Sequence, residues 1–107
     1  MYTPQIDVCE RPDEIVILVE LPGVDRKDVQ LSWKENILTI SGNKRRQPDH
    51  GAKYMCVERS YGPFRREILI GIAIDHKRAR AELHEGLMKI HLPKISEEEA
   101  TNTIPIE

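Results

Sequence analysis

Thirteen prolines and glycines, at positions 4, 12, 22, 23, 42, 48, 51, 62, 63, 71, 86, 93 and 105, divide this chain of 107 residues into short intervals. Proline removes a main-chain donor and glycine raises the entropic cost of any regular element, so few intervals can hold a helix of about ten residues or more. The long interval between Gly23 and Gly42 is not helical in pattern either. From Asp28 onward Val29, Leu31 and Trp33 alternate with Gln30, Ser32 and Lys34, the period of two that marks a half-buried strand.

The other intervals read the same way. Ile6 to Glu10 is a short strand, and Glu14 to Leu21 is a second whose run of Ile, Val and Leu predicts burial on both faces or at a sheet junction. Leu21-Pro22-Gly23-Val24 suits a type II turn, proline presetting the first central position and glycine accepting positive φ at the second. Glu35-Asn36 turns the chain, and Leu38 and Ile40 point inward from a return strand over Ile37 to Ser41. Gly42 to Lys53 reads as a polar loop leading into Tyr54 to Ser60, a weakly patterned strand. After Gly62-Pro63, one strand face carries Phe64, Ile68 and Ile70 together with Arg66, a lone arginine that needs a partner. Arg78 to Leu83 and Leu87 to Leu92 flank Gly86 as a last hairpin, with Ala81 and Leu83 directed inward against Met88, Ile90 and Leu92, and Pro93 ends it. Seven or eight short strands with frequent turns predict an all-β fold, an antiparallel immunoglobulin-like β-sandwich. One domain over residues 1–94 and an acidic C-terminal extension over residues 95–107, with the run Glu97 to Glu99, complete the organisation.

Charge and hydropathy exclude several functions. Sixteen basic against eighteen acidic residues leave a net charge of −2, so no large positive field serves nucleic-acid binding. The basic loop around Lys44, Arg45, Arg46 and Lys53 lacks aromatic residues for base stacking except Tyr54 at its edge, and reads as a solvated loop. Apolar runs reach only five residues at Ile15 to Val19 and, counting Gly71, seven at Ile68 to Ile74, far short of the roughly 20 a membrane helix needs. The start Met1-Tyr2-Thr3-Pro4-Gln5 has neither a basic nor an apolar export region, which predicts a cytoplasmic protein.

Little catalytic chemistry is present. His50, His76, His84 and His91 share no short metal-ligand spacing, and the isolated glycines form no phosphate loop or dinucleotide fingerprint. Cys9 and Cys56 have no redox or zinc spacing and read as ordinary strand cysteines. No enzyme, metal site or cofactor is expected. The informative feature is Thr103-Ile104-Pro105-Ile106: after a polar stretch, two β-branched side chains two residues apart project to one side of an extended segment that Pro105 favours. A short linear motif of this kind adds along a sheet edge and seats two isoleucines in neighbouring pockets.

Taken together, these motifs resemble the small heat-shock proteins, whose core is the alpha-crystallin domain. Glu20-Leu21-Pro22-Gly23-Val24 is similar to the family's E-L-P-G-V turn, and Ile37-Leu38-Thr39-Ile40-Ser41-Gly42 to its L-x-I-x-G strand. Ala81 to Met88 resembles A-x-x-x-N-G-V-L, His91-Leu92-Pro93-Lys94 the L-P-K that ends the domain, and Ile104-Pro105-Ile106 the C-terminal I-x-I anchor. Glu85 stands where the family usually has Asn or Asp, Leu87-Met88 replaces V-L, and Ile70-Gly71 replaces L-P. The family normally carries an apolar N-terminal arm, whereas this chain begins almost at the first strand.

The resemblance implies a stress-response chaperone of the holdase kind, which keeps partly unfolded client proteins refoldable without ATP, catalysis or cofactor. It further implies a homodimer made by strand exchange. The long connection carrying Tyr54, Met55, Cys56 and Val57 would pair with the partner's strand bearing Ile6, Val8 and Cys9, and Arg66, the family's F-x-R arginine, would contact acidic groups at that dimer interface. Whether Cys9 and Cys56 touch would depend on register. Ile104, Pro105 and Ile106 would anchor a higher homo-oligomer in a groove between the strand of Val29, Leu31 and Trp33 and that of Ala81 and Leu83. The competing class, a CS-type sandwich acting as a co-chaperone or docking adaptor, would lack both the exchange loop and the I-x-I tail. A small enzyme using Cys9 or Cys56 as nucleophile has no histidine at a suggestive spacing.

Overall fold

A computed structural model describes residues 2–96 and 104–107. Thr103 and, from Glu97 onward, the expected acidic linker lie outside the described residues. The described chain folds into seven strands: β1 (Ile6–Glu10), β2 (Glu14–Glu20), β3 (Val29–Lys34), β4 (Ile37–Lys44), β5 (Gly62–Leu69), β6 (Arg80–His84) and β7 (Leu87–Pro93). They form two antiparallel sheets, one in the order β1-β2-β7-β6 and the other in the order β3-β4-β5. Short 3-10 turns at Arg26–Asp28 and His76–Arg78 lead into β3 and β6, so Arg78 belongs to a turn and not to the strand expected there.

The hairpin turns follow from residue chemistry. Glu35 (φ 51°) and Asn36 (φ 64°) turn β3 into β4, while Glu85 (φ 51°) and Gly86 (φ 79°) turn β6 into β7. Positive φ at both central residues gives the turn whose twist matches that of the strands it joins. The Pro22-Gly23 turn closes with Val24 N–H donating to the Leu21 carbonyl at 3.2 Å. Leu21 N–H in turn donates to the Gly86 carbonyl at 2.7 Å, so two motifs far apart in sequence lock one end of the sandwich.

Ile15, Ile17 and Val19 of β2, Met88, Ile90 and Leu92 of β7, Leu38 and Ile40 of β4, and Phe64 of β5 meet between the sheets. Strand β2 lies between β1 and β7, and Val16 on its outer face is also buried, as a strand at a sheet junction requires. Gly42 marks a close approach within the second sheet, where β4 passes the chain entering β3 on one side and Phe64 of β5 on the other. A Cβ there would run into the Asp28 carbonyl oxygen and come within 2.7 Å of the Phe64 ring, so only glycine fits.

Several expectations need correction. Strand β4 runs on to Lys44, past the expected end at Ser41, so Lys44 leaves the basic loop and is buried with its Nζ 4.5 Å from the centre of the Tyr2 ring. That position serves a lysine because its stem packs while its ammonium meets a π face. Residues 45–61 form no strand: Tyr54, Met55, Cys56 and Val57 are exposed, and Cys56 is not a strand cysteine in the single chain. A strand needs a ladder partner, and this segment pairs with no strand of the same chain. Ala81 shares the inner face with Ile90, its partner across the ladder, as expected, yet it is exposed because β6 is an edge strand. Lys94 forms a bridge with Ile74, and Ile95 N–H donates to the Ala73 carbonyl at 3.1 Å, so the sandwich continues to the residue after Lys94.

Candidate functional site

Three features of the surface stand out, beginning with the outer edge of β1. The hydrogen bonds from Glu20 N–H to Gln5 O (3.0 Å) and from Arg11 N–H to Glu14 O (2.8 Å) fix which β1 residues bond to β2. Paired residues of an antiparallel ladder alternate between bonded and non-bonded, so Asp7 and Cys9 use their main-chain groups on β2. Ile6, Val8 and Glu10 therefore direct theirs to the open edge. Their side chains face the interior beside Val19, Ile17 and Ile15, whereas Asp7 and Cys9 lie on the outer face beside Leu18 and Val16. An open strand edge carrying Val8 at 47% exposure is a template for another strand.

The segment following β4 is the second feature. Met55 is 98% exposed, and Tyr54 and Val57 are each about half exposed. The segment curls past the Pro22-Gly23 turn, where Tyr54, Cys56, Val57 and Tyr61 line a cleft with Arg45 and Arg46. Arg46 lies 4.8 Å from the Tyr54 ring centre and Arg59 5.2 Å from that of Tyr61.

Two clefts where the edges of β3 and β6 face each other make the third. Leu31, Trp33, Leu38, Ala81, Ile90 and Leu92 line one of about 220 Å³, and Val29, Leu31, Ala81, Leu83 and Met88 line its neighbour of about 420 Å³. Val29, Leu31, Trp33, Ala81 and Leu83 are thus brought together at one apolar groove. The tail end does not occupy it within the chain: Ile104 is 83% and Ile106 99% exposed, and Pro105 is exposed as well.

Arg66 has an unforeseen contact. Within the single chain its Nη1 donates to the Pro4 carbonyl at 2.7 Å. Arg66 shares the inner face of β5 with Phe64 and Ile68, which brings it to the N-terminal segment crossing from one sheet to the other. Tyr2 packs edge-on against Phe64 with ring centres 5.7 Å apart, and its hydroxyl donates to the Glu20 carbonyl at 2.9 Å. Desolvation first, and the Glu20 charge second, raise the Tyr2 phenol above its usual value of 10.0, which keeps the hydroxyl a donor.

Sequence reading missed Tyr2, Pro4, Lys44 and His91. The His91 ring is buried on the outer face of the first sheet, with Nδ1 3.3 Å from Glu14 Oε1 and Nε2 3.4 Å from Glu82 Oε1. Glu14 and Glu82 are distant from His91 in sequence or on neighbouring strands, and only the β2-β7-β6 register brings them together. No group of three or more His, Cys, Asp or Glu among the described residues is placed to hold a metal ion. No helix among them is long and apolar enough to cross a membrane.

Comparison with known proteins identifies this arrangement. The Hsp20/alpha crystallin family matches residues 7–107. Heat shock protein 16 of Schizosaccharomyces pombe is 37% identical across 98% of this chain and 76% of its own length. The heat shock protein HSP.16.4 of Streptococcus thermophilus is 34% identical across 94% of this chain and 72% of its own. Among solved structures, heat shock protein 16.0 from Schizosaccharomyces pombe superposes with a TM-score of 0.86 at 34% identity over 100% of both chains. A small heat-shock protein from Xylella fastidiosa superposes with a TM-score of 0.79 at 28% identity over 99% of this chain and 95% of its own. The chain belongs to the Hsp20/alpha-crystallin family, the small heat-shock proteins, and its function is that of a molecular chaperone.

Proposed function

We propose that the chain acts as an ATP-independent holdase in the cytoplasm, built on a strand-exchanged homodimer. The observation that carries this reading is a mismatch within one chain: a sandwich with its core closed leaves an open β1 edge and an empty apolar groove, while two apolar segments stay exposed. Met55 and Val57 suit the open edge of a second copy, and Ile104 and Ile106 suit the groove of a neighbouring one. Pairing along β1 supplies main-chain hydrogen bonds, and alternate side chains supply specificity.

Seating two isoleucines is worth about 3–6 kcal/mol before the costs of ordering the tail and of association. The net is small, which suits a reversible anchor that frees apolar groove surface when clients compete for it. Higher homo-oligomers follow if the tail reaches a different dimer, and the Xylella fastidiosa relative is described as having a distinct high order structure. Unfolded clients expose the same aliphatic surface as the tail, so groove and edge are the surfaces on which they are held. The reading assigns the chain no catalysis and no cofactor.

The test is suppression of client aggregation. A thermolabile client is heated with increasing amounts of the chain, without nucleotide, and followed by light scattering. The expected result is scattering that falls to a plateau, with client activity recoverable afterwards by an ATP-driven refolding system. Unchanged scattering at a large excess of the chain would refute the reading.

A further inference from the structure

The positions of the two cysteines relative to the open β1 edge carry a redox consequence. Both are free and exposed. Cys9 lies on the outer face of β1, and its main-chain groups are committed to β2, with its Sγ 3.5 Å from the Val16 carbonyl oxygen. On the open side it is therefore a non-hydrogen-bonded position, where facing Cα atoms of an antiparallel pair approach to about 4.5 Å. That is inside the roughly 4.4–6.8 Å range of disulfides.

Parity decides the face of Cys56. If residues 54–60 add to β1 with Met55 and Val57 continuing the inner face of Ile6 and Val8, Cys56 falls on the outer face with Cys9, since successive side chains of a strand alternate. This holds whichever way the added strand runs. In the antiparallel register that sets Cys56 opposite Cys9, Val57 faces Val8, so the apolar and the sulfur pairings agree.

We propose that Cys9 of one chain and the partner's Cys56 form a reversible disulfide that fastens the exchanged strand, making the dimer responsive to low-molecular-weight disulfides such as oxidised glutathione. The inference rests on the strand-exchanged dimer proposed above. In the first step the thiolate of one cysteine attacks the small disulfide, forming a mixed disulfide and releasing one thiol. In the second, the other cysteine's thiolate attacks the protein sulfur and releases the second thiol. Two protein thiols are oxidised and one small disulfide is reduced to two thiols. Two symmetric bonds close each dimer, which then cannot dissociate on dilution.

Complementation between Cys9→Ser and Cys56→Ser variants tests this. Each retains one of the two sulfurs, so after exchange of subunits and treatment with oxidised glutathione only a mixed dimer can form the Cys9–Cys56 bond. The expected result on a non-reducing gel is a covalent dimer for the intact chain and for the mixture, lost on reduction, with neither variant cross-linking alone. Equal cross-linking by either variant alone would overturn the pairing. Light scattering of the reduced chain separates the two levels: a dimer whose mixed variants fail to cross-link overturns this inference only, whereas a reduced monomer overturns the dimer and the disulfide with it.

Discussion

Replacing Gly42 by alanine tests how closely β3, β4 and β5 pack within the second sheet. The added methyl would meet the Phe64 ring at 2.7 Å, about 0.8 Å short of the roughly 3.5 Å at which carbon atoms rest, and would run into the Asp28 carbonyl oxygen. Phe64 is buried against the core and Asp28 contributes backbone, so no rotamer change relieves both contacts, and the start of β3 must move away from β4. Overpacking of this kind costs about 1–3 kcal/mol, here at the upper end, and the stiffer unfolded chain returns about 0.4–1 kcal/mol. A net loss of about 2 kcal/mol, divided by an unfolding entropy of about 0.22 kcal/mol/K for a chain of this length, lowers Tm by about 9 °C. Thermal unfolding at matched chain concentration, followed by circular dichroism, reads this directly. Gly71→Ala is the control: nothing lies within 4 Å of its would-be Cβ and its φ is not in the left-handed region, so its Tm should hold or rise slightly. A Gly42→Ala protein melting with the control would refute the close approach.

Glu85 occupies a left-handed turn position that favours asparagine, so Glu85→Asn should raise stability by about 0.5 kcal/mol in a denaturant titration, while a loss would contradict the turn assignment. Arg66→Leu removes the bond to the Pro4 carbonyl and should cost about 1.5–3 kcal/mol while making the N-terminal residues more sensitive to protease; unchanged protease sensitivity would show that Arg66 does not hold that segment. Ile104→Ala with Ile106→Ala should reduce species larger than a dimer to dimers with little change in melting, as read by light scattering, and an unchanged mass distribution would exclude the tail as anchor.

Most of the sandwich was legible because its signals are local. Val29, Leu31 and Trp33 alternate within one strand, Glu35-Asn36 and Glu85-Gly86 need only their own backbone preferences, and Pro22-Gly23 closes a turn of four residues. The groove residues were legible only through a resemblance, since nothing in the local pattern says that Leu31 and Ala81 approach each other across two sheets. Arg66 was recognised as needing a partner, but a main-chain carbonyl has no side-chain signature, so Pro4 could not be named. Lys44 was misplaced because a basic residue beside Arg45 and Arg46 looks solvated, and its burial depends on Tyr2 folding back over β4. His91 escaped notice for the same reason, since Glu14 and Glu82 meet it through strand register and not through spacing. The segment of Tyr54 to Ser60 has the opposite history: its residues suggest a strand, but within the single chain it pairs with no other strand.

The central claim is that this segment finds its edge on a second copy, along Ile6, Val8 and Glu10. Solution mass of the reduced chain beside a Val8→Pro variant, both carrying Ile104→Ala and Ile106→Ala, tests it most directly. Val8 directs its N–H away from β2, so proline there leaves the β1-β2 ladder intact and blocks the open edge. The account predicts a dimer for the parent and a folded monomer, with unchanged strand content, for Val8→Pro; a monomeric parent, or a Val8→Pro protein that stays dimeric at the same concentration, would contradict it.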